Sequence, residues 1–282
     1  MADVSLQPIL ALLGSPVAGN PTQFMMERAF AHHGLDWRYI SVEVQPEHLA
    51  DAVRGMQAMG FAGGNCANPH KEAICQYLTQ LGGAAEMAGV VNLLRQEEGQ
   101  LVGENTEGRA ILEAIRRRID PAGRRCVLLG AGKLARAAAV ELALAGVEQI
   151  LILTRNPAPG RRLANLLLDR LEVAAQHVLW EEPYALPPQT DLVVQATSVG
   201  QQNPEAQLPL VFSTLAETML VVDCIFQPPQ THLLRAAAER GCRTIDGLEV
   251  LLTRAAIDFQ LWTGLAPNLD ILREAVEEFL EL

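Results

Sequence analysis

Gly130 and Gly132 stand two residues apart, between an apolar run at Val127–Leu129 and a helical pattern over about Ala135–Ala145. Glycines so placed could hold a phosphate. Gly130 permits a sharp turn, and Gly132 lacks the Cβ that would keep a pyrophosphate off the backbone. The helix start then offers unpaired N–H groups and its positive dipole end to the anion. The candidate cradle is Gly130, Ala131, Gly132, Lys133, Leu134 and Ala135, with Ala135 in the close-packing position of a third small residue. A second apolar run, Ile150–Leu153, completes the strand–turn–helix–strand order of a nucleotide-binding βαβ unit. Its end reads Thr154-Arg155-Asn156, with Arg161 and Arg162 shortly after. No carboxylate stands there to take a ribose 2′-OH, and a guanidinium suits a 2′-phosphate dianion, so the predicted cofactor is NADP(H). The bland alternative is a pair of ordinary surface arginines.

Four other segments carry groups able to do chemistry. Asn65-Cys66-Ala67-Asn68-Pro69-His70-Lys71 ends an apolar strand in a proline turn and a lysine. Ala88-Gly89-Val90-Val91-Asn92 ends a helix and opens a strand with an amide. Gly103-Glu104-Asn105-Thr106-Glu107-Gly108 clusters carboxylates and small polar groups, and Gly247-Leu248-Glu249-Val250-Leu251 opens a helix with Arg254 further in.

The elements that must position these groups alternate. Strands are predicted at Leu10–Leu13, Tyr39–Val44 and Gly63–Ala67, with helices at Phe24–His33, about Pro46–Met59 and Lys71–Leu81. Val90–Arg95 and Leu101–Gly103 suggest a hairpin over Gly99, and Gly108–Ile119 a helix. Later strands are read at Asp191–Ala196 and Leu220–Asp223, a helix at Leu233–Arg240, and helical periodicity over Gly247–Leu282 broken near Gly264–Pro267. After Asn156 a Leu/Ala-rich helix is predicted, and the region that follows it through Pro188 has no clear pattern. Alternating strands and helices indicate an α/β, mostly parallel architecture. Two domains are predicted: 1–108, completed by about 244–282, and a Rossmann-type domain over 109–243. The C-terminal helices are expected to pack back on the first.

The 282 residues allow two domains, and 49% hydrophobic with 20% charged residues is ordinary globular composition. A net charge of −11 argues against nucleic-acid or anionic-membrane partners. Five scattered cysteines lack a CxxC pair, and six histidines form no metal-like cluster. Both point to a reducing cytoplasm and no metal. The start, MADVSLQPILALLGSPV, has no basic n-region and reads as a buried strand rather than a signal or membrane span.

In order and spacing, the segments resemble the shikimate dehydrogenase family over almost the whole chain. The family's Asn…Pro-His-Lys pattern corresponds to Asn65–Lys71, its Gly-Ala-Val-Asn-Thr to Gly89–Leu93, and its Gly-x-Asn-Thr-Asp-Gly to Gly103–Gly108. The glycine turn and the Thr154–Asn156 segment follow. Then come Gln195-Ala196-Thr197-Ser198-Val199-Gly200, Asp223–Pro228 and the late Phe259–Gly264. The resemblance implies an NADP-dependent oxidoreductase of the shikimate pathway of aromatic amino acid biosynthesis. It implies Lys71 and Glu107 as the proton-handling pair, and Asn20, Asn92, Arg254 and Phe226 about the substrate. It adds Ala196, Thr197, Ser198, Ile225 and Gly247 to the cofactor residues.

The departures bear on the substrate. The family's Ser-x-Ser carboxylate grip is replaced by the shortened Ala18-Gly19-Asn20-Pro21. A threonine has become Ala67, the catalytic Asp is Glu107, a carboxylate-binding tyrosine is Phe226, and a glutamine is Arg254. Each lost hydroxyl removes roughly 1–3 kcal/mol where a partner is left unpaired. Three readings follow: a shikimate- or quinate-type dehydrogenase with Arg254 in compensation, a dehydrogenase of an unrelated small hydroxy compound, and a nucleotide-sensing protein without turnover. A monomer or homodimer is expected.

Overall fold

The computed structural model describes residues 6–201 and 203–282. The first five residues of the predicted N-terminal strand region lie outside that range. The chain divides into two compact units. One holds the residues up to Thr106 together with Arg254–Leu282, and the other holds Glu107–Thr253.

The first unit begins β1 (Ile9–Gly14), α1 (Thr22–His32), β2 (Arg38–Glu43), α2 (Leu49–Ala58) and β3 (Gly63–Cys66). It continues β4 (Gln80–Leu81), α3 (Gly83–Ala88), β5 (Leu93–Glu97) and β6 (Gln100–Glu104). The strand order is β2-β1-β3-β5-β6-β4. The crossovers through α1 and α2 make β2, β1 and β3 parallel, whereas the β5–β6 hairpin enters antiparallel. Ala11, Leu13, Val53, Met56, Ile74, Val91 and Leu94 fill the core on one face.

One predicted element is overturned. Residues 71–81 do not form a continuous helix: a short 3₁₀ turn spans Ala73–Tyr77 and β4 follows. The carbonyl of Lys71 accepts from Val91 N–H at 2.8 Å, and Cys75 N–H turns to Glu72 instead. The first hydrogen bond an α-helix would need there is already taken by the neighbouring segment.

The second unit runs α4 (Thr106–Arg116, beginning one residue before it), β7 (Arg125–Leu129), α5 (Lys133–Leu144), β8 (Gln149–Thr154) and α6 (Pro157–Leu171). It continues β9 (Ala174–Leu179), β10 (Leu192–Gln195), β11 (Leu220–Asp223), α7 (His232–Glu239) and β12 (Arg243–Ile245). Strands β9 and β12 extend the predicted set; both lie at sheet edges, where alternation is weak. The order β12-β11-β10-β7-β8-β9 is all parallel. The strand order therefore reverses between β7 and β10, the switch point at which doubly wound sheets bind ligands. Strands β10 and β11 are buried throughout, as a sheet covered on both faces requires.

The chain ends in α8 (Gly247–Thr263) and α9 (Leu269–Leu280). Helix α9 packs on α1: Phe24 and Phe279 lie 6.0 Å apart between ring centroids, and Arg28 pairs with Glu278 at 2.7 Å. With Phe259 of α8 against Phe30 of α1, the C-terminal helices pack back on the first unit.

Candidate active site

A buried polar network occupies the first unit. Tyr39 donates its hydroxyl to Asn65 Oδ1 at 2.7 Å, and Asn65 Nδ2 donates to Asp258 Oδ2 at 2.9 Å and to the Asn92 carbonyl at 3.1 Å. Asn92 is bound twice to Thr106: its Nδ2 donates to Thr106 Oγ1 at 2.8 Å, and its Oδ1 accepts from Thr106 N–H at 2.6 Å. Thr106 Oγ1 donates in turn to Asp258 Oδ1 at 2.5 Å. Asp258 is 0% exposed, with Arg254 Nη1 at 3.8 Å one helical turn earlier on α8. Arg254 Nη2 donates to Thr22 Oγ1 at 2.9 Å, while Thr22 N–H donates to Asn20 Oδ1 at 3.0 Å. A charge can be kept this deep only if it is paired and hydrogen-bonded. Burial, opposed by Arg254 and reinforced by Asp258, pushes the Tyr39 phenol well above its usual range, so it remains a donor.

The network gathers three predicted substrate residues, Asn20, Asn92 and Arg254, into the first unit. Asn20 Oδ1 accepts from Thr22 N–H in an Asx turn that precedes α1. Lys71 is half-buried and follows the Asn68-Pro69 turn. Asn105 donates to the Val90 carbonyl at 3.0 Å, which fixes the strand end leading to α4. Sequence reasoning missed Asp258, Tyr39 and Thr22, and gave Asn65 no role beyond its place in the Asn65–Lys71 segment. The available signal was Asp258 itself, an acid four residues after an arginine within a mostly apolar helix.

The second unit holds Glu107 and the cradle. Glu107 lies in the first turn of α4, where its carboxylate answers the helix dipole. Its charge reaches Cys224, whose thiol is pushed up first by burial, then by Asp223 and Glu107. Phe226 is half-buried just beyond β11.

Gly130 has φ +107°, which the turn requires and an L side chain resists. Gly132 is the N-cap of α5, provides no side-chain cap, and no acid sits in the first turn. The helix thus starts at Lys133, Leu134 and Ala135 without a capping side chain from its N-cap residue. A Cβ built on Gly132 would meet nothing within 4 Å, so no contact within the fold demands glycine there. The close approach of a pyrophosphate would demand it, and the donor set fits one.

Around the cradle, Gln195 Oε1 accepts from Thr197 N–H at 2.9 Å and its Nε2 donates to the Val199 carbonyl at 3.0 Å, holding the Ala196-Thr197-Ser198 turn. A Cβ on Gly247 would lie 2.2 Å from the carbonyl carbon and oxygen of Ile225, so only glycine fits there. Thr154 Oγ1 accepts from Asn156 N–H at 3.3 Å, and Asn156 caps α6 through Ala158 N–H at 3.1 Å. Arg155, Arg161 and Arg162 are exposed. These groups suit a 2′-phosphorylated dinucleotide. Among the described residues no His, Cys, Asp and Glu cluster could hold a metal, and no helix is long and apolar enough to cross a membrane.

Comparison with known proteins gives the family and the fold. The family model of the shikimate dehydrogenase substrate binding domain matches residues 12–94. The chain is 36% identical to the NADP(+) shikimate dehydrogenase of Desulforamulus reducens over 275 residues, 96% of this chain and 94% of that protein. It superimposes on the ligand-free 5-ketofructose reductase of Gluconobacter sp. strain CHM43 with TM-score 0.93 and 38% identity, over 96% and 98% of the two chains. It also matches the shikimate 5-dehydrogenase of Thermus thermophilus, solved with NADP(H) and shikimate, at TM-score 0.83 and 31% identity, over 97% and 100%.

Proposed function

The chain belongs to the shikimate dehydrogenase family, and from that premise we propose that it is an NADP-dependent oxidoreductase, reversibly transferring hydride between NADP(H) and a small hydroxylated substrate. The observation that carries this reading is a glycine cradle with an uncapped helix start and no acid at the ribose position, joined to a substrate-type unit matched by the family model. In the family reaction the substrate is a hydroxylated ring acid such as 3-dehydroshikimate, shikimate or quinate, and the product serves the shikimate pathway.

Gly130, Ala131, Gly132 and the N–H groups of Lys133, Leu134 and Ala135 hold the pyrophosphate, and Arg155 with Thr154 and Asn156 holds the 2′-phosphate. Ala196, Thr197, Ser198, Ile225 and Gly247 form the nicotinamide side. Bound NADP(H) supplies or accepts the hydride. Lys71 gives a proton to the carbonyl oxygen in reduction and takes it from the hydroxyl in oxidation. Glu107 fixes the position of that hydroxyl. Asn20, Asn92 and Phe226 border the substrate.

A second reading, an uncharged polyhydroxylated ketone as substrate, is favoured by two observations. The serine pair and the tyrosine that take a ring carboxylate are absent, and the match to a reductase of 5-ketofructose, a sugar without a carboxylate, has TM-score 0.93. We place the enzyme in the cytoplasm, consistent with five free thiols, as a monomer or homodimer acting on small molecules. Initial rates of the purified protein with NADP+ and NAD+, against shikimate and quinate from pH 7 to 10, test the reading. NADP+-dependent oxidation is the expected outcome. NADP+ binding without turnover of any hydroxylated compound would leave a nucleotide-sensing protein in its place.

A further inference from the structure

Arg254 is the residue best suited to replace the missing serines, since a guanidinium takes a carboxylate through two parallel N–H bonds. Its surroundings argue otherwise. Nη2 is engaged by Thr22, Nη1 faces Asp258, and Nε is shut off from solvent with no partner. The side chain is 12% exposed and its counter-charge 0% exposed. Nη2 is therefore engaged within the unit, Nη1 is ion-paired with Asp258 at 3.8 Å without a hydrogen bond, and Nε cannot be reached without displacing the guanidinium. An incoming carboxylate would have to compete with an acid fixed to the same helix, held in place by Asn65 and Thr106. Two carboxylates beside one buried cation repel, at a cost that low dielectric enlarges.

We propose that Asp258 decides the charge class of the substrate: by pairing with Arg254, it offsets the positive charge that would otherwise draw a carboxylate, and the first unit accepts an uncharged polyhydroxylated ketone in preference to a ring acid. The proposal rests on the hydride-transfer reading above and narrows its substrate. Asp258 is a positioning residue here; it acts through Arg254 and touches no reacting atom. An uncharged polyol needs donors and acceptors but no counter-charge, so a neutralised arginine costs it nothing, whereas it costs an acid its strongest partner.

The test compares 5-ketofructose with 3-dehydroshikimate, by NADPH oxidation and by calorimetric titration into the NADP+-loaded protein, where no turnover occurs. The ketose is expected to show at least a tenfold lower KM than the acid. Asp258→Asn is expected to lower the KM of the acid at least tenfold with a smaller change in kcat, and adding Arg254→Met should cancel that gain. A wild-type preference for the acid, or an unchanged order of KM values in folded Asp258→Asn, overturns the proposal. If Asp258→Asn does not fold, Arg254→Met alone decides: a held guanidinium predicts less than a threefold loss of acid binding, and a tenfold loss overturns the proposal. If neither ketone oxidises NADPH, hydride transfer to these compounds is refuted, yet calorimetry still ranks the two ligands and decides the charge class.

Discussion

Lys71 is the side chain whose removal separates chemistry from binding. Lys71→Ala is expected to lower kcat by about 10²–10⁴-fold, the range of a lost general acid–base, while NADPH affinity read by fluorescence stays unchanged. A comparable loss of NADPH affinity would show that the lysine serves the cofactor instead. Asp223 offers a different test at the same scale. Its carboxyl is buried beneath Thr231 Oγ1 and Ile225 N–H, and burial, partly offset by those two hydrogen bonds, raises its pKa from 3.8 to about 6. The folded state thus favours the neutral acid. That contribution to stability is full below about pH 4 and is lost as pH rises through about 6. Asp223→Asn should then be more stable than the wild type at pH 7.5, by on the order of 2–3 kcal/mol from a shift of about two pH units, and the gain should vanish at pH 4. Urea unfolding at both pH values measures it, and an equal difference at both would refute the buried-acid account.

Among elements, the two glycines beside the cofactor strands separate function from folding. Gly132→Ala adds a methyl group into open space at the start of α5. The expected result is an unchanged melting temperature with at least a tenfold rise in KM for NADPH, because the methyl group meets the pyrophosphate rather than the protein. Gly247→Ala drives a Cβ to within 2.2 Å of the Ile225 backbone, and a lower melting temperature is expected even without cofactor. Thermal melts with and without NADPH distinguish the two outcomes. The strand after Asp191, the glycine turn and the helix after it were legible because each is a local pattern: period, punctuation and cap lie within a dozen residues. Residues 71–81 were not. Their helical periodicity is real, but the Lys71 carbonyl is claimed by Val91, a partner no periodicity reveals.

At the scale of the molecule, the first unit is made from both ends of the chain. Phe259, Leu272, Ala275 and Val276 are all buried in it, as is Asp258. A chain ending at Thr253 would lose these, and removing Phe259 alone costs about 3–5 kcal/mol, comparable with much of a domain's total stability. Such a truncation is expected to leave the first unit unfolded, read as loss of near-UV circular dichroism and rapid proteolysis of residues before Thr106. A truncated protein with a folded first unit would mean that α8 and α9 are accessory.

The glycine turn suited to NADP and the alternating α/β order followed from the sequence alone, because glycine spacing, a missing acid after β8 and apolar runs are local properties of the chain; the family was legible through the resemblance of its motifs in series. Tertiary structure decided the commitments of the charged side chains. Arg254 meets Thr22 across 232 residues, Asp258 meets Asn65 across 193 and Thr106 across 152. In one dimension, an arginine placed to bind a substrate and an arginine held by a neighbouring acid look alike. Burial separates them, since a desolvated guanidinium must take the partner that folding brings within reach.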